Sequence, residues 1–165
     1  MDSAGPSRAG DQFHYLWAAR KCLKLIDANS GLRALVVEGA SAKEVEEDAK
    51  SPTVPLPAEE KIDVAEYFGS EQLSEASCVI YSQLKHSTRQ AKTPFTASGI
   101  KPTLRGYARR FLATAKQIGY QETCNKFQFN FVINRPINHK ILAAFLKCSN
   151  ELENFTFSDK RLLKE

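Results

Sequence analysis

Asp63, Gln83 and Lys85, with Glu38 upstream, are the residues whose types and spacing could carry chemistry. Gln83 and Lys85 lie in the run Val79-Ile80-Tyr81-Ser82-Gln83-Leu84-Lys85-His86-Ser87. It opens with β-branched and aromatic residues and reads as a buried strand. Side chains alternate along a strand, so Gln83 and Lys85 share a face with Val79 and Tyr81, while Ile80, Ser82 and Leu84 point the other way. The strand thus leaves the core with an amide oxygen beside an ammonium. An amide oxygen is a possible ligand for a hard metal ion, and the ammonium can hold an attacking water or a phosphate oxygen. Taken alone, the same residues also describe a strand that frays into solvent. An acid on the preceding strand makes the set reactive. Asp63 and Gln83, helped by the Leu84 carbonyl, would hold magnesium or manganese by oxygen. Such an ion polarises a phosphodiester and acidifies water, and Lys85 offsets the charge that builds on the phosphate. Glu38 is a further acid, either a ligand or a residue behind the ligands.

These residues must be positioned by a small number of elements. A helix is expected over 11–26, capped by Asp11 and buried along Phe13, Leu16, Ala19, Leu23 and Ile26. Near its start His14 is either a ligand or phosphate contact or a packed histidine. Strands follow over 32–38 and 62–68, separated by a long irregular break over 40–61. Three prolines within Pro52-Thr53-Val54-Pro55-Leu56-Pro57 exclude a central strand there, so the break reads as a mobile loop or a functional flap. In the second strand Asp63, Ala65 and Tyr67 share one face. The first and third strands are apolar enough to be covered by helices and kept off the sheet edge. After a polar loop over 87–102 comes a helix from Thr103 to Gly119. Leu104, Tyr107, Ala108, Phe111, Leu112, Ala115 and Ile118 are its expected buried face. At about 100° per residue, Arg105, Arg109 and Lys116 fall within about 40° of each other and border that face, with Arg110 elsewhere on the exposed side. A fourth strand spans 127–133 and a short helix 138–147. The order is helix, three strands, helix, strand, helix: an α/β domain with a mixed β-sheet flanked by helices. Residues 1–10 read as a disordered N-terminus, 11–150 as the domain, and 151–165 as the start of a linker or helix leading into a longer protein.

Composition narrows the class. Glu38 to Glu75 hold eleven acidic and three basic residues, net −8, and Lys85 to Lys126 hold nine basic and one acidic, net +8. A basic block after the reactive strand points to a polyanion, contacted by Arg105, Arg109, Lys116, His86 and Lys92; a merely dipolar surface is the other reading. Cys22, Cys78, Cys124 and Cys148 are scattered without a Cys-x-x-Cys pair, which argues against zinc and against a disulfide framework. They read as reduced, mostly buried thiols. With no signal-peptide core and no apolar run of membrane length, a cytoplasmic protein with no membrane partner is expected.

Gly10-Asp11-Gln12-Phe13-His14-Tyr15-Leu16-Trp17-Ala18, Val37-Glu38-Gly39, Ile62-Asp63-Val64 and Tyr81-Ser82-Gln83-Leu84-Lys85-His86-Ser87 together resemble the PD-(D/E)xK restriction-endonuclease-like superfamily, in its variant with Gln in place of the second acid. The closer resemblance is to N-terminal double-stranded-DNA endonuclease domains of bacterial anti-phage effectors, those of CBASS systems and of antiviral STAND NTPases. It covers about the first 90 residues; beyond them only the element order matches. The resemblance implies a restriction-endonuclease-like fold and Mg2+ or Mn2+ as cofactor. It implies that Asp63 is the metal-binding acid, that Gln83 and Lys85 form the Gln-x-Lys pair, and that Glu38 is an upstream acid. It also implies double-stranded DNA as substrate, sensor or NTPase domains downstream, and activation by homo-oligomerisation. A catalytically inactive copy serving as a DNA-binding or oligomerisation module, and an RNase on the same scaffold, are the alternatives. Asp63, Gln83 and Lys85 should then converge in a cleft at the end of the sheet.

Overall fold

The computed structural model describes residues 5–49 and 62–152. Strands β1 (Leu32–Val37), β2 (Val64–Phe68) and β3 (Cys78–Lys85) form an antiparallel meander. Strand β4 (Phe127–Ile133) joins β3 in parallel, which gives a four-stranded mixed sheet in the order β1-β2-β3-β4. A parallel pair needs a long crossover; helices α3 (Ala97–Ile118) and α4 (Tyr120–Lys126) supply it. Helix α1 (Gly5–Cys22) covers one sheet face, where Ala18 meets Val64 and Leu84 beside Phe13, Trp17, Val37 and Val132. The opposite face carries Ala65, Tyr67, Val79 and Tyr81 against Tyr107 of α3 and Phe127. The two-residue period of β2 and β3 thus feeds two cores, and the mixed sheet flanked by helices expected from the sequence is present. No described helix is long and apolar enough to cross a membrane.

Several expectations about the elements are corrected. The acidic stretch after Glu38 contains a helix, α2 (Ala42–Ala49), where an irregular break was expected. The proline-rich remainder of that break, and residues 153–165 of the stretch expected to start a linker or helix, lie outside the described residues. Strand β1 is an edge strand; Leu32 is buried, but Ala34, Leu35, Val36 and Val37 are only partly so. Helix α1 begins at Gly5 and runs through Asp11, so Asp11 does not cap it. Its inward side is Phe13, His14, Trp17, Ala18 and Lys21, whereas Leu16, Leu23 and Ile26 are exposed. Two apolar stripes compete on this segment. The sheet takes the one that also delivers Lys21 to the fully buried Glu66, 2.9 Å away, which leaves no uncompensated charge. Helix α3 starts at Ala97, ahead of Thr103, with Pro102 inside it. Cys124 is exposed and Cys22 and Cys78 only partly covered, all three as free thiols, contrary to the buried cysteines expected.

The inward side of α3 is Ile100, Thr103, Gly106, Tyr107, Arg110 and Thr114, not the leucine-bearing side. The cause is a buried polar hub. Glu44 of α2 accepts hydrogen bonds from the Tyr67 hydroxyl at 2.5 Å and the Tyr81 hydroxyl at 2.6 Å, and is paired with Arg110. Glu44 and Arg110 are both buried, and a charge in an apolar interior persists only with such partners. Arg110, read from sequence as exposed, therefore turns inward and sets the phase of α3. Burial, and next to it the Glu44 charge, hold the Tyr67 and Tyr81 phenols well above the ordinary tyrosine range.

Candidate active site

The site forms where two strands differ in length. β2 begins at Val64, opposite Ser82, and Asp63 just before it still donates its N–H to the Ser82 carbonyl at 3.0 Å. β3 runs on through Gln83, Leu84 and Lys85 with no β2 residue opposite. The overhanging main chain needs other partners. Asp63 folds its carboxylate back to supply them: Oδ2 accepts from the Leu84 N–H at 2.5 Å and from the Gln83 side-chain amide at 2.5 Å. Asp63 and Gln83 are thus in direct contact at the end of the sheet.

Gln83 is 2% exposed, so the strand does not fray into solvent at this point. Its amide nitrogen serves Asp63, and its Oε1 is buried without a hydrogen-bond partner among the described residues. An unsatisfied buried acceptor costs about 1–3 kcal/mol, and a cation or an O–H donor would relieve it. From the α1 layer His14 reaches the same place, its Nε2 3.2 Å from the Leu84 carbonyl and 3.9 Å from Asp63 Oδ2. Tyr107 covers the α3 side, its hydroxyl donating to the Asn130 carbonyl at 2.9 Å. Burial raises the Tyr107 phenol; the Gln83 backbone N–H works against that and the Asp63 charge adds to it.

Lys85 is exposed at the last position of β3, two residues beyond Gln83 and on its face. Among the described residues its ammonium has no carboxylate within ion-pairing distance. Glu38 follows β1 directly and is tied to Asp63 through the backbone, its N–H donating to the Asp63 carbonyl at 2.8 Å. Its φ of 61° is left-handed, a conformation that costs a residue with a side chain about 1–2 kcal/mol. Glu38 is exposed.

The basic residues divide into two groups. His86 stacks on Phe13 with ring centroids 5.0 Å apart, next to the site. Lys92 is exposed on the following loop, which Arg135 pins by bonds to the Thr93 carbonyl at 2.9 Å, Gln90 Oε1 at 2.8 Å and the Pro94 carbonyl at 3.2 Å. Arg105, Arg109 and Lys116 are exposed on the outer side of α3, within about 20° of the direction opposite Tyr107. They do not border the core as expected, because α3 is turned to bury Arg110.

The donor set is one carboxylate, one amide oxygen and one main-chain carbonyl, with an imidazole alongside. Hard divalent ions take oxygen ligands of this kind, and the unpartnered Gln83 Oε1 fits that use. Among the described residues no group of three or more His, Cys, Asp and Glu side chains gathers around one point, so the ion would depend on the amide and the main chain. Sequence reasoning picked Asp63 and Gln83 as an acid and an amide on consecutive strands. It placed His14 on the first helix and weighed it as a ligand, but no spacing signal linked it to Leu84, 70 residues away. Tyr107 was read only as core. No protein-family model matches the sequence, and no curated protein matches it either.

Proposed function

We propose that this chain is a divalent-metal-dependent endonuclease domain of the restriction-endonuclease-like class, acting on double-stranded DNA. The observation that carries the reading is the folding of Asp63 onto the overhanging Gln83-Leu84 segment, with Lys85 exposed beside them. A bound ion would supply polarisation of the phosphate and acidification of water. The chain's own residues do the rest. Asp63 and Gln83, with the Leu84 carbonyl, would hold the ion. Lys85 would meet the scissile phosphate from the solvent side, offsetting its growing negative charge and placing the attacking water. The Leu84 N–H and the Gln83 amide hold the Asp63 carboxylate in position. Exposed Arg89, Lys92 and Lys101 follow Lys85 in sequence and would contact flanking phosphates, which position a duplex without reading its bases.

The sequence resemblance supports a more specific role, as the effector domain of a bacterial anti-phage protein that is switched on when copies assemble. Cutting both strands of a duplex takes two sites, and each chain has one Asp63-Gln83-Lys85 set. The test is nicking and linearisation of supercoiled plasmid with magnesium or manganese, at rising protein concentration, with chelator and Asp63→Asn as controls and an RNA duplex in parallel. Ion-dependent cleavage of the plasmid that disappears with Asp63→Asn is the expected result. Cleavage of RNA alone would move the substrate to RNA, and binding without cleavage under every condition would leave an inactive binding module.

A further inference from the structure

Lys85 stands where the sheet runs out. It is the last residue of β3, opposite Ile133 at the end of β4, and on the other side β2 pairs only as far as Ser82. A strand end without neighbours frays, yet this one is held. Asn134, the first residue after β4, carries the ladder onward. Its backbone N–H donates to the Lys85 carbonyl at 3.4 Å. Its side-chain Oδ1 accepts from the Ser87 N–H at 3.0 Å, and its Nδ2 donates to the Ser87 carbonyl at 3.1 Å. A carboxamide has the acceptor and the donor of a peptide group, so Asn134 grips Ser87 as a strand partner would. Arg135 closes the other end of the same loop. Its Nε donates to the Thr93 carbonyl at 2.9 Å, its Nη1 to Gln90 Oε1 at 2.8 Å and its Nη2 to the Pro94 carbonyl at 3.2 Å. Its guanidinium also lies 5.3 Å from the centroid of the Phe95 ring. Phe95 is buried, and its N–H donates to the Pro136 carbonyl at 2.7 Å. All three guanidinium nitrogens are thus spent on neutral acceptors of the loop, and among the described residues no carboxylate lies within ion-pairing distance of Arg135. The segment that carries His86, Arg89 and Lys92 is therefore slung between two adjacent residues of the β4 exit.

We propose that Asn134 and Arg135 are positioning residues with separate tasks: Asn134 fixes the main chain at Lys85 and so aims its ammonium, and Arg135 holds Arg89 and Lys92 ready for phosphates before DNA arrives. This rests on the reading of Lys85 as the group that meets the scissile phosphate. Neither Asn134 nor Arg135 touches DNA in this scheme. A misplacement of about 1 Å in a reacting group can cost about 10² in rate, so the grip of Asn134 belongs to the chemical step. A loop that is ordered beforehand is spared the ordering that binding otherwise requires, so the grip of Arg135 belongs to affinity. Arginine suits that task because its donors form a rigid fork, which a lysine ammonium lacks.

The experiment uses the whole 165-residue chain, magnesium and one labelled DNA duplex, with kcat and KM taken from cleavage and Kd from anisotropy in chelator. Asn134→Ala should lower kcat by about 10–10² while KM stays within about twofold. Arg135→Lys keeps the charge but not the fork; it should raise KM and Kd by about threefold or more while kcat stays within about twofold. In an Arg89→Ala/Lys92→Ala chain, Arg135→Lys should change Kd no further, because the contacts it positions are gone. If Arg135 were itself a phosphate contact, Arg135→Lys would bind DNA as the parent does, and Arg135→Ala would weaken the Arg89→Ala/Lys92→Ala chain additively; either result overturns its positioning role. An Asn134→Ala chain with the parent kcat overturns the role of Asn134. Hydrogen exchange of the Ser87 amide in the parent tests the grip without any variant: exchange at the rate of a free peptide would overturn it even if the variants failed to fold. Asp63→Asn separates this inference from the nuclease reading. If it abolishes cleavage while Asn134→Ala and Arg135→Lys behave as the parent, the nuclease stands and the positioning roles fall; a parent chain that does not cleave removes both.

Discussion

Lys85 ends β3 in solvent while Gln83, two residues earlier on the same face, is buried. This difference assigns them different work. Gln83 is held by Asp63 and buried, so it would position an ion but cannot follow a substrate. Lys85 is able to meet a phosphate that arrives from outside. Lys85→Ala should leave folding intact and DNA binding nearly so, because it removes one charge among many on the basic side. Cleavage should fall by roughly 10²–10³, the usual cost of losing a group that stabilises transition-state charge. Extra magnesium should not rescue it. Gln83→Glu replaces the amide by an acid at the same reach and should keep activity or change its metal preference, whereas Gln83→Ala should lose activity. Plasmid cleavage under activating conditions checks all three; a Lys85→Ala chain that cuts at the parent rate would move the active site elsewhere.

At the scale of elements, α2 and α3 are fixed to the sheet by one hub, Glu44 with Arg110, Tyr67 and Tyr81. Removing one member of a buried ion pair leaves the other uncompensated, so Arg110→Ala should destabilise the chain by about 3–5 kcal/mol. Arg105→Ala, on the outer side of the same helix, should change stability by no more than about 0.5 kcal/mol. Denaturant melts of the two variants compare the inner and outer sides directly. The hub also fixes an alkaline limit. Tyr67 and Tyr81 have phenols raised in the fold above the unfolded value of about 10. Their contribution is complete below that value and is lost as pH rises past it, because the unfolded chain gives up those protons first. Unfolding should therefore accompany phenolate absorbance from these two residues above about pH 10; their ionisation in a still-folded chain would contradict the hub. The hub also shows what the sequence left illegible. Alternation put Gln83 on the face of Val79 and Tyr81, and Asp63 on that of Ala65 and Tyr67; the antiparallel pairing of β2 and β3 makes these one face, where Asp63 and Gln83 are in contact. The phases of α1 and α3 were not legible. The buried side contains Lys21 in α1, paired with Glu66 on β2, and Thr103, Arg110 and Thr114 in α3, where Arg110 is paired with Glu44 of α2. Helix α2 was hidden because its acidic residues resemble a solvated loop, although Glu44 enters the buried hub and Glu47 accepts from Ser74.

At the scale of the molecule, the exposed basic residues named as DNA contacts fall into two separate groups. Arg89 and Lys92 lie on the loop that leaves the site and is pinned by Arg135; Arg105, Arg109 and Lys116 lie on the far side of α3. A duplex seated at Lys85 in a single copy of the chain reaches the first group. Each side chain that neutralises a phosphate adds about 0.9 to the slope of log affinity against log salt. The Arg89→Ala/Lys92→Ala double variant should therefore flatten the slope by about 1.8 and weaken binding evenly across sequences, since groups that touch only phosphates do not read bases. Arg105→Ala/Arg109→Ala should leave the slope of the dilute chain unchanged. If assembly of copies were to bring the outer side of α3 to DNA held by a neighbour, the same double variant should then lower the slope. Fluorescence anisotropy of one labelled duplex, at several salt concentrations and at protein concentrations below and above assembly, measures both. Equal flattening by the two variants in the dilute chain would mean that a single copy engages DNA around α3, and the separation of the two groups would not hold.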